Sequence, residues 1–231
     1  EIVADAKTLL GGADVLVKIG VPTAAEIALV KSGTVYIGFL NPLAQPELSK
    51  ALAERGAAAF SMELIPRTSR AQSMDALSSQ ASIAGYKAVL VAASELGKYL
   101  PMLTTAAGTI PPAKVLVIGV GVAGLQAIAT ARRLGAVVEA YDIRPEVKEQ
   151  VQSLGAKFVE AKLDVDARAE GGYAKEIGED AKRKLQEALA HHVSQSDAVI
   201  TTAQVPGKKA PVLVPHAMVA RMKPGAVVVD L

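Results

Sequence analysis

The chain has 231 residues, 51% hydrophobic and 21% charged, with a formal net charge of +2. That length allows one large or two small domains, each able to bury a core without cross-links. With no cysteine, disulfide frameworks, thiolate metal sites and cysteine nucleophiles are excluded, and three histidines leave little for a His-rich metal site. A near-neutral balance, few aromatic residues and no Trp argue against a nucleic-acid partner.

The alternation of strands and helices is legible along the chain. Residues 14–19 (DVLVKI), 34–40 (TVYIGFL) and 57–64 are predicted strands. Helices are predicted over 24–31 and 46–55, with Pro46 suited to a first helical turn. Strand, helix, strand at this spacing implies a parallel sheet with right-handed crossovers. Residues 69–100 read as one long helix or two short ones, with Gly85 as the weak point. The stretch 104–112 (TTAAGTIPP) reads as a boundary loop.

The second half restarts the pattern. Strands are predicted at 114–118, 137–142, 156–160, 197–202 and 226–230, and helices at 123–134, 145–154, 179–193 and 215–221. Residues 162–178 (KLDVDARAEGGYAKEIG) break the rhythm and are too long for a plain connection, which marks a candidate functional loop. The fold class expected is α/β: two doubly wound Rossmann-like subdomains with parallel sheets, over residues 1–100 and 101–231, joined by a long helical segment. The most apolar stretch, 115–131, is broken by Gly119, Gly121, Gly124, Gln126 and Thr130, so no membrane span is expected. The missing initial Met and the strand-like final residues read as a fragment of a longer polypeptide.

Gly119-Val120-Gly121-Val122-Ala123-Gly124 fits G-x-G-x-x-G between a predicted strand and a predicted helix. Asp142 closes the next strand, 21 positions beyond Gly121, and Ile143 and Arg144 follow it. The glycines suit a tight turn, close approach of a pyrophosphate and close helix–strand packing. The phosphates would rest on free N–H groups at the helix start. Asp142 would accept from adenosine ribose hydroxyls, favouring NAD over NADP, and Arg144 weakens that discrimination. Thr202, Ala203 and Gln204 leave the C-terminal end of a later strand, where open α/β sheets place ligands; a plain strand exit is the alternative.

The segment 67–80 concentrates Arg67, Gln72, Asp75 and Ser78 at a helix start. Capping plus solvated surface is its plain reading; a polar lining for an amide or ribose is the other. Here a family resemblance enters. Residues 66–86 (PRTSRAQSMDALSSQASIAGY), 111–115, 119–134, 144–152, 171–175 (GGYAK) and 206–208 resemble the NAD(H)-binding component of proton-translocating NAD(P) transhydrogenases. The wider superfamily includes alanine dehydrogenase.

The resemblance implies that Arg67, Gln72, Asp75 and Ser78 form a loop beside the nicotinamide, with Gln72 directed toward a second nucleotide. It implies that Tyr173, next to Gly172, belongs to a mobile loop closing over NADH, and that Asp142 is the ribose acid. It implies NAD(H) on this chain and NADP(H) on a partner domain. It further implies a membrane-embedded proton-channel domain, a homodimer, and a soluble position on the cytoplasmic face of a bacterial inner membrane or the mitochondrial matrix side. It implies a first subdomain completed by chain outside this sequence. Hydride transfer between nicotinamides needs no protein acid or base, so Arg67, Gln72, Asp75, Ser78 and Tyr173 are expected to position the reaction.

Two alternatives stand beside this. In an alanine dehydrogenase, Lys18 would match a carboxylate-binding lysine; as a plain feature it is a solvent-facing cation. The catalytic His of such an enzyme would fall near Asn41, and this chain has none there. The other alternative is a non-catalytic NAD-sensing module.

Overall fold

The computed structural model describes residues 2–160, 179–204 and 209–231. The chain divides into two compact units, Glu1–Leu77 and Ser78–Leu231.

The first unit runs α1 (Ala6–Gly12), β1 (Val15–Lys18), α2 (Ala24–Leu29), β2 (Val35–Gly38), α3 (Pro46–Glu54) and β3 (Ala58–Ser61). Helix α1 lies outside the predicted elements. Asp5 starts it by accepting from the Thr8 amide at 2.8 Å, a local cap with no long apolar periodicity behind it. Strands β1, β2 and β3 are parallel and adjacent in that order, with Val15 opposite Val35 and Val35 opposite Ala58. On one face Leu16 and Tyr36 pack with Leu10, Ile27, Val30, Leu48 and Leu52 as a closed core. The other face leaves Val15 55%, Val17 76% and Phe60 60% exposed. A parallel sheet is ordinarily covered on both sides, so this face is an open apolar surface.

Two 3₁₀ turns, Met62–Leu64 and Ser69–Met74, lead to α4 (Ala76–Glu95), one continuous helix through Gly85. Its Ala88, Val89 and Ala92 pack into the second unit's core. A two-stranded antiparallel hairpin follows, β4 (Leu103–Thr105) and β5 (Gly108–Ile110). The expected boundary loop is therefore a hairpin. Ala106 and Ala107 form its tight turn, and Gly108 takes φ 129° where a side chain would be strained.

The second unit continues through β6 (Lys114–Ile118), α5 (Val122–Arg133), β7 (Val137–Tyr141), α6 (Lys148–Ser153) and β8 (Lys157–Phe158). It then adds α7 (Glu179–Gln195), β9 (Ala198–Thr201), α8 (His216–Val219) and β10 (Val227–Asp230). The sheet order is β10-β9-β6-β7-β8, all parallel. Strand order reverses between β6 and β9, which makes their C-terminal ends the topological switch point. Alternate residues of β6 serve two cores: Val115 and Val117 face α4 and α5, and Leu116 and Ile118 face Leu185, Leu189 and Val193 of α7. Burial on both faces explains why KVLVI is an unbroken apolar run after its lysine.

At the opposite end of this sheet, Asp197 is buried and accepts from Lys98 Nζ at 2.9 Å, Lys223 Nζ at 2.8 Å and the Lys114 amide at 2.7 Å. Burial pushes its carboxyl up, but Lys223, the Lys114 amide and Lys98 together hold it below the ordinary 3.8. A carboxyl lowered on folding stabilises fully above its unfolded value, and that contribution is lost as pH falls through the folded one. Asp197→Asn is expected to cost about 2 kcal/mol at pH 7. Below about pH 4 that gap should close. Urea melts of both proteins across pH 2.5–7 check it, and a gap that widens in acid would refute the assignment.

Candidate functional site

The glycine turn is built where β6 ends. Gly119 takes φ 95°, and a Cβ there would stand 2.8 Å from Thr202 Oγ1 and 2.9 Å from the Ala203 amide nitrogen. Its N–H donates to the Tyr141 carbonyl at 2.8 Å. Its carbonyl accepts from Thr202 Oγ1 at 2.9 Å. The Thr202 amide in turn donates to the Ile118 carbonyl at 2.8 Å. Thr202 and Ala203 thus brace the turn from β9.

Gly124 meets the same carbonyl from the other side: an added Cβ would come within 1.9 Å of Gly119 O. That contact sets α5 hard against the strand end. Gly121 differs, since a Cβ there would meet nothing within 4 Å. It is the N-cap of α5, in extended backbone, and makes no side-chain cap to the first turn. Val122 is exposed beside it and Ala123 half-buried. A helix start without a side-chain cap presents N–H groups and the positive end of the helix dipole. Arg132 and Arg133 occupy the last turn, where cations suit the negative end. Open space at the middle glycine, with close packing at the other two, fits a dinucleotide pyrophosphate.

A residue outside the predicted site completes this arrangement. Gly85 of α4 packs against the start of α5, and a Cβ on it would lie 2.0 Å from the Ala123 carbonyl oxygen. Sequence reasoning took it for a weak point. An isolated glycine inside an otherwise helical run was the signal.

Asp142 ends β7 beside the turn with both oxygens engaged. Oδ2 accepts from the Val120 amide at 2.7 Å and Arg144 Nη2 at 2.9 Å, and Oδ1 from the Arg144 amide at 2.9 Å and Arg144 Nε at 3.0 Å. The hydrogen bond to Asp142 raises the Arg144 guanidinium above its ordinary range against the opposing effect of burial. Ile143 is half-buried between them. Gln204 is exposed and donates to the Leu231 carbonyl at 3.3 Å. Neighbouring Thr201 donates to Asp230 at the end of β10, a carboxylate at the same sheet edge that sequence reasoning passed over. Burial pushes the Tyr141 phenol well above its ordinary range, with the Asp142 charge adding to it.

Gly119, Val120, Asp142, Arg144, Thr202 and Ala203 are therefore brought together. Arg67, Gln72 and Asp75 lie in the first unit, and Ser78 opens the second. Arg67 and Gln72 are exposed, with Gln72 in the 3₁₀ turn Ser69–Met74; Asp75 and Ser78 are half-buried. Gly172 and Tyr173 lie outside the described residues. Lys18 corrects its plain reading as a solvent-facing cation. It is paired to Glu26 at 2.6 and 2.7 Å, and Glu26 is at once the capping-box partner of Thr23. Glu63 holds the Leu40 and Asn41 amides at 3.2 and 2.8 Å, fixing Asn41 at φ 48°.

Among known proteins, the chain is 52% identical over 237 residues to an NAD(P) transhydrogenase alpha subunit of Rhodospirillum rubrum, the first of the pieces into which that subunit is divided, covering 100% of this chain and 62% of that one. It is 31% identical over 234 residues to alanine dehydrogenase of Mycobacterium tuberculosis, covering 100% of this chain and 57% of that one. The solved transhydrogenase from Sinorhizobium meliloti matches at TM-score 0.81 and 49% identity, over 96% of this chain and 59% of that one. The chain thus spans about 60% of the length of these relatives. No helix among the described residues is long and apolar enough to cross a membrane. Residues 1–84 match the alanine dehydrogenase/PNT N-terminal domain and residues 88–231 its C-terminal domain, so the chain belongs to the alanine dehydrogenase/PNT family.

Proposed function

We propose that this chain is the NAD(H)-binding component of a proton-translocating transhydrogenase. The cradle at Gly121, with nothing within 4 Å of an added Cβ at the start of α5, carries the reading. Similarity to transhydrogenase alpha subunits well above that to alanine dehydrogenase supports it. The commitment of Lys18 to Glu26 leaves little charge for a substrate carboxylate, which weighs against an amino-acid dehydrogenase.

NAD(H) bound at the cradle supplies the hydride, for transfer to or from NADP(H) on a partner domain. The α5 N–H groups would hold the pyrophosphate, Asp142 would accept from the adenosine ribose, and Thr202 and Ala203 would keep the turn in register. Arg67, Gln72, Asp75, Ser78 and Tyr173 are proposed as positioning groups. A homodimer, coupling to a membrane-embedded proton-channel domain and a place on the cytoplasmic or matrix face belong to the same proposal.

The test is hydride exchange with a supplied NADP(H)-binding component. Gln72 is exposed in its 3₁₀ turn, so Gln72→Ala should leave NADH affinity within about twofold and slow transfer by roughly tenfold or more, since small misplacements are costly in rate. Alanine-dependent NADH formation by the chain alone would favour a dehydrogenase. NADH binding with no transfer to the partner would favour a sensing module.

A further inference from the structure

Asp142 is the acid that the dinucleotide reading assigns to the adenosine ribose, yet its acceptor capacity is already filled. A carboxylate offers about four lone-pair positions, and all four N–H contacts described above are in place. Two are backbone amides that orient the carboxylate. The other two are Nε and Nη2 of Arg144, one to each oxygen. This two-point fork is the geometry by which a vicinal diol would engage the same carboxylate. Arg144 Nη2 also donates to the Val120 carbonyl at 3.2 Å, which ties the guanidinium to the glycine turn. The pair is well shielded, with side-chain exposures of 12% for Arg144 and 6% for Asp142.

We propose that Arg144 is a specificity-determining residue that competes with the adenosine ribose diol for Asp142. This rests on the proposal that the crevice takes a dinucleotide. For the diol to reach Asp142, the guanidinium must leave its fork while the Val120 and Arg144 amides keep the carboxylate aimed. NADH therefore binds less tightly than Asp142 alone would permit. Only two residues away, the displaced cation stays beside the ribose edge. There it offsets the repulsion between Asp142 and a 2′-phosphate, so NADPH is penalised less than a lone aspartate would impose.

Calorimetry on the chain and on Arg144→Ala, with NADH, NADPH, ADP and 2′,3′-dideoxy-ADP, tests this. A fork shut nine-tenths of the time lowers apparent affinity about tenfold. Arg144→Ala should therefore bind NADH and ADP more tightly, by up to about tenfold on that basis. Affinity for 2′,3′-dideoxy-ADP, which has no diol, should not change, and NADPH should bind more weakly. Arg144→Lys keeps the charge but not the fork; it should also gain for ADP while retaining more NADPH affinity, and it carries the comparison if the alanine variant does not fold. Unchanged or weaker NADH binding in the variants, or an equal gain for 2′,3′-dideoxy-ADP, overturns the competition while leaving the dinucleotide site standing. Failure of the unsubstituted chain to bind NADH or ADP overturns the dinucleotide reading itself, and this inference with it.

Discussion

Gly121→Ala is expected to leave the chain folded and to lower its affinity for NADH by on the order of 100-fold. The two halves of that expectation have separate causes. An added Cβ meets no protein atom within 4 Å, and the backbone at Gly121 is extended, with φ −82°. Replacing such a glycine restricts the unfolded chain and tends to stabilise, by roughly 0.4–1 kcal/mol. The same methyl would occupy the space through which phosphates approach the first turn of α5. Losing two hydrogen bonds to a charged group, at about 1.5 kcal/mol each, corresponds to roughly 100-fold in affinity. Thermal melting and calorimetry on one preparation check both halves. Gly124→Ala is the opposing control, because its Cβ would stand 1.9 Å from Gly119 O and must disturb the fold. Undiminished NADH binding by folded Gly121→Ala would remove the cradle from the site.

The second large effect is expected at Gly85→Ala. An alanine is better in a helix than glycine by about 1 kcal/mol, so an exposed site in α4 would be stabilised. Here the Cβ would lie 2.0 Å from the Ala123 carbonyl oxygen and 2.7 Å from its carbon. Ordinary contact is beyond 3.4 Å, so α4 and the start of α5 must part by more than an ångström. Overpacking of this kind costs about 1–3 kcal/mol and occasionally more. The obstacle is backbone that cannot rotate aside, which places Gly85 at the high end. We expect a net loss of about 2–3 kcal/mol in urea denaturation, with weakened NADH binding because the displaced residue belongs to the helix start. A gain in stability would show that the helices do not approach as described.

Local physics made much of this molecule legible. Residues 114–118 were expected as a strand and form β6 with the same limits, because an apolar run between Lys114 and a glycine turn has few other solutions. The helices α2, α3 and α5 end within about two residues of their expected limits, since apolar spacing, Pro46 and the glycines act within one or two turns. The hairpin β4–β5 and helix α1 were missed. Each is short, and each depends on a turn or cap that leaves little mark on hydrophobic period.

By itself, the amino-acid sequence determined the alternating α/β plan, the glycine turn and the acid that follows it, all set by patterns within about thirty residues. Tertiary structure decided what those residues do. Gly85 became a contact only when α4 was laid against Ala123, 38 positions away in sequence. Asp197 became a buried hub only when Lys98, Lys114 and Lys223 converged on it. Arg144, two residues from Asp142, was in view from the start. Its grip on both oxygens depends on the Val120 amide and carbonyl brought up from the end of β6. A side chain's partner is set by distance in space, and linear spacing reports that distance only within a single turn, helix or strand.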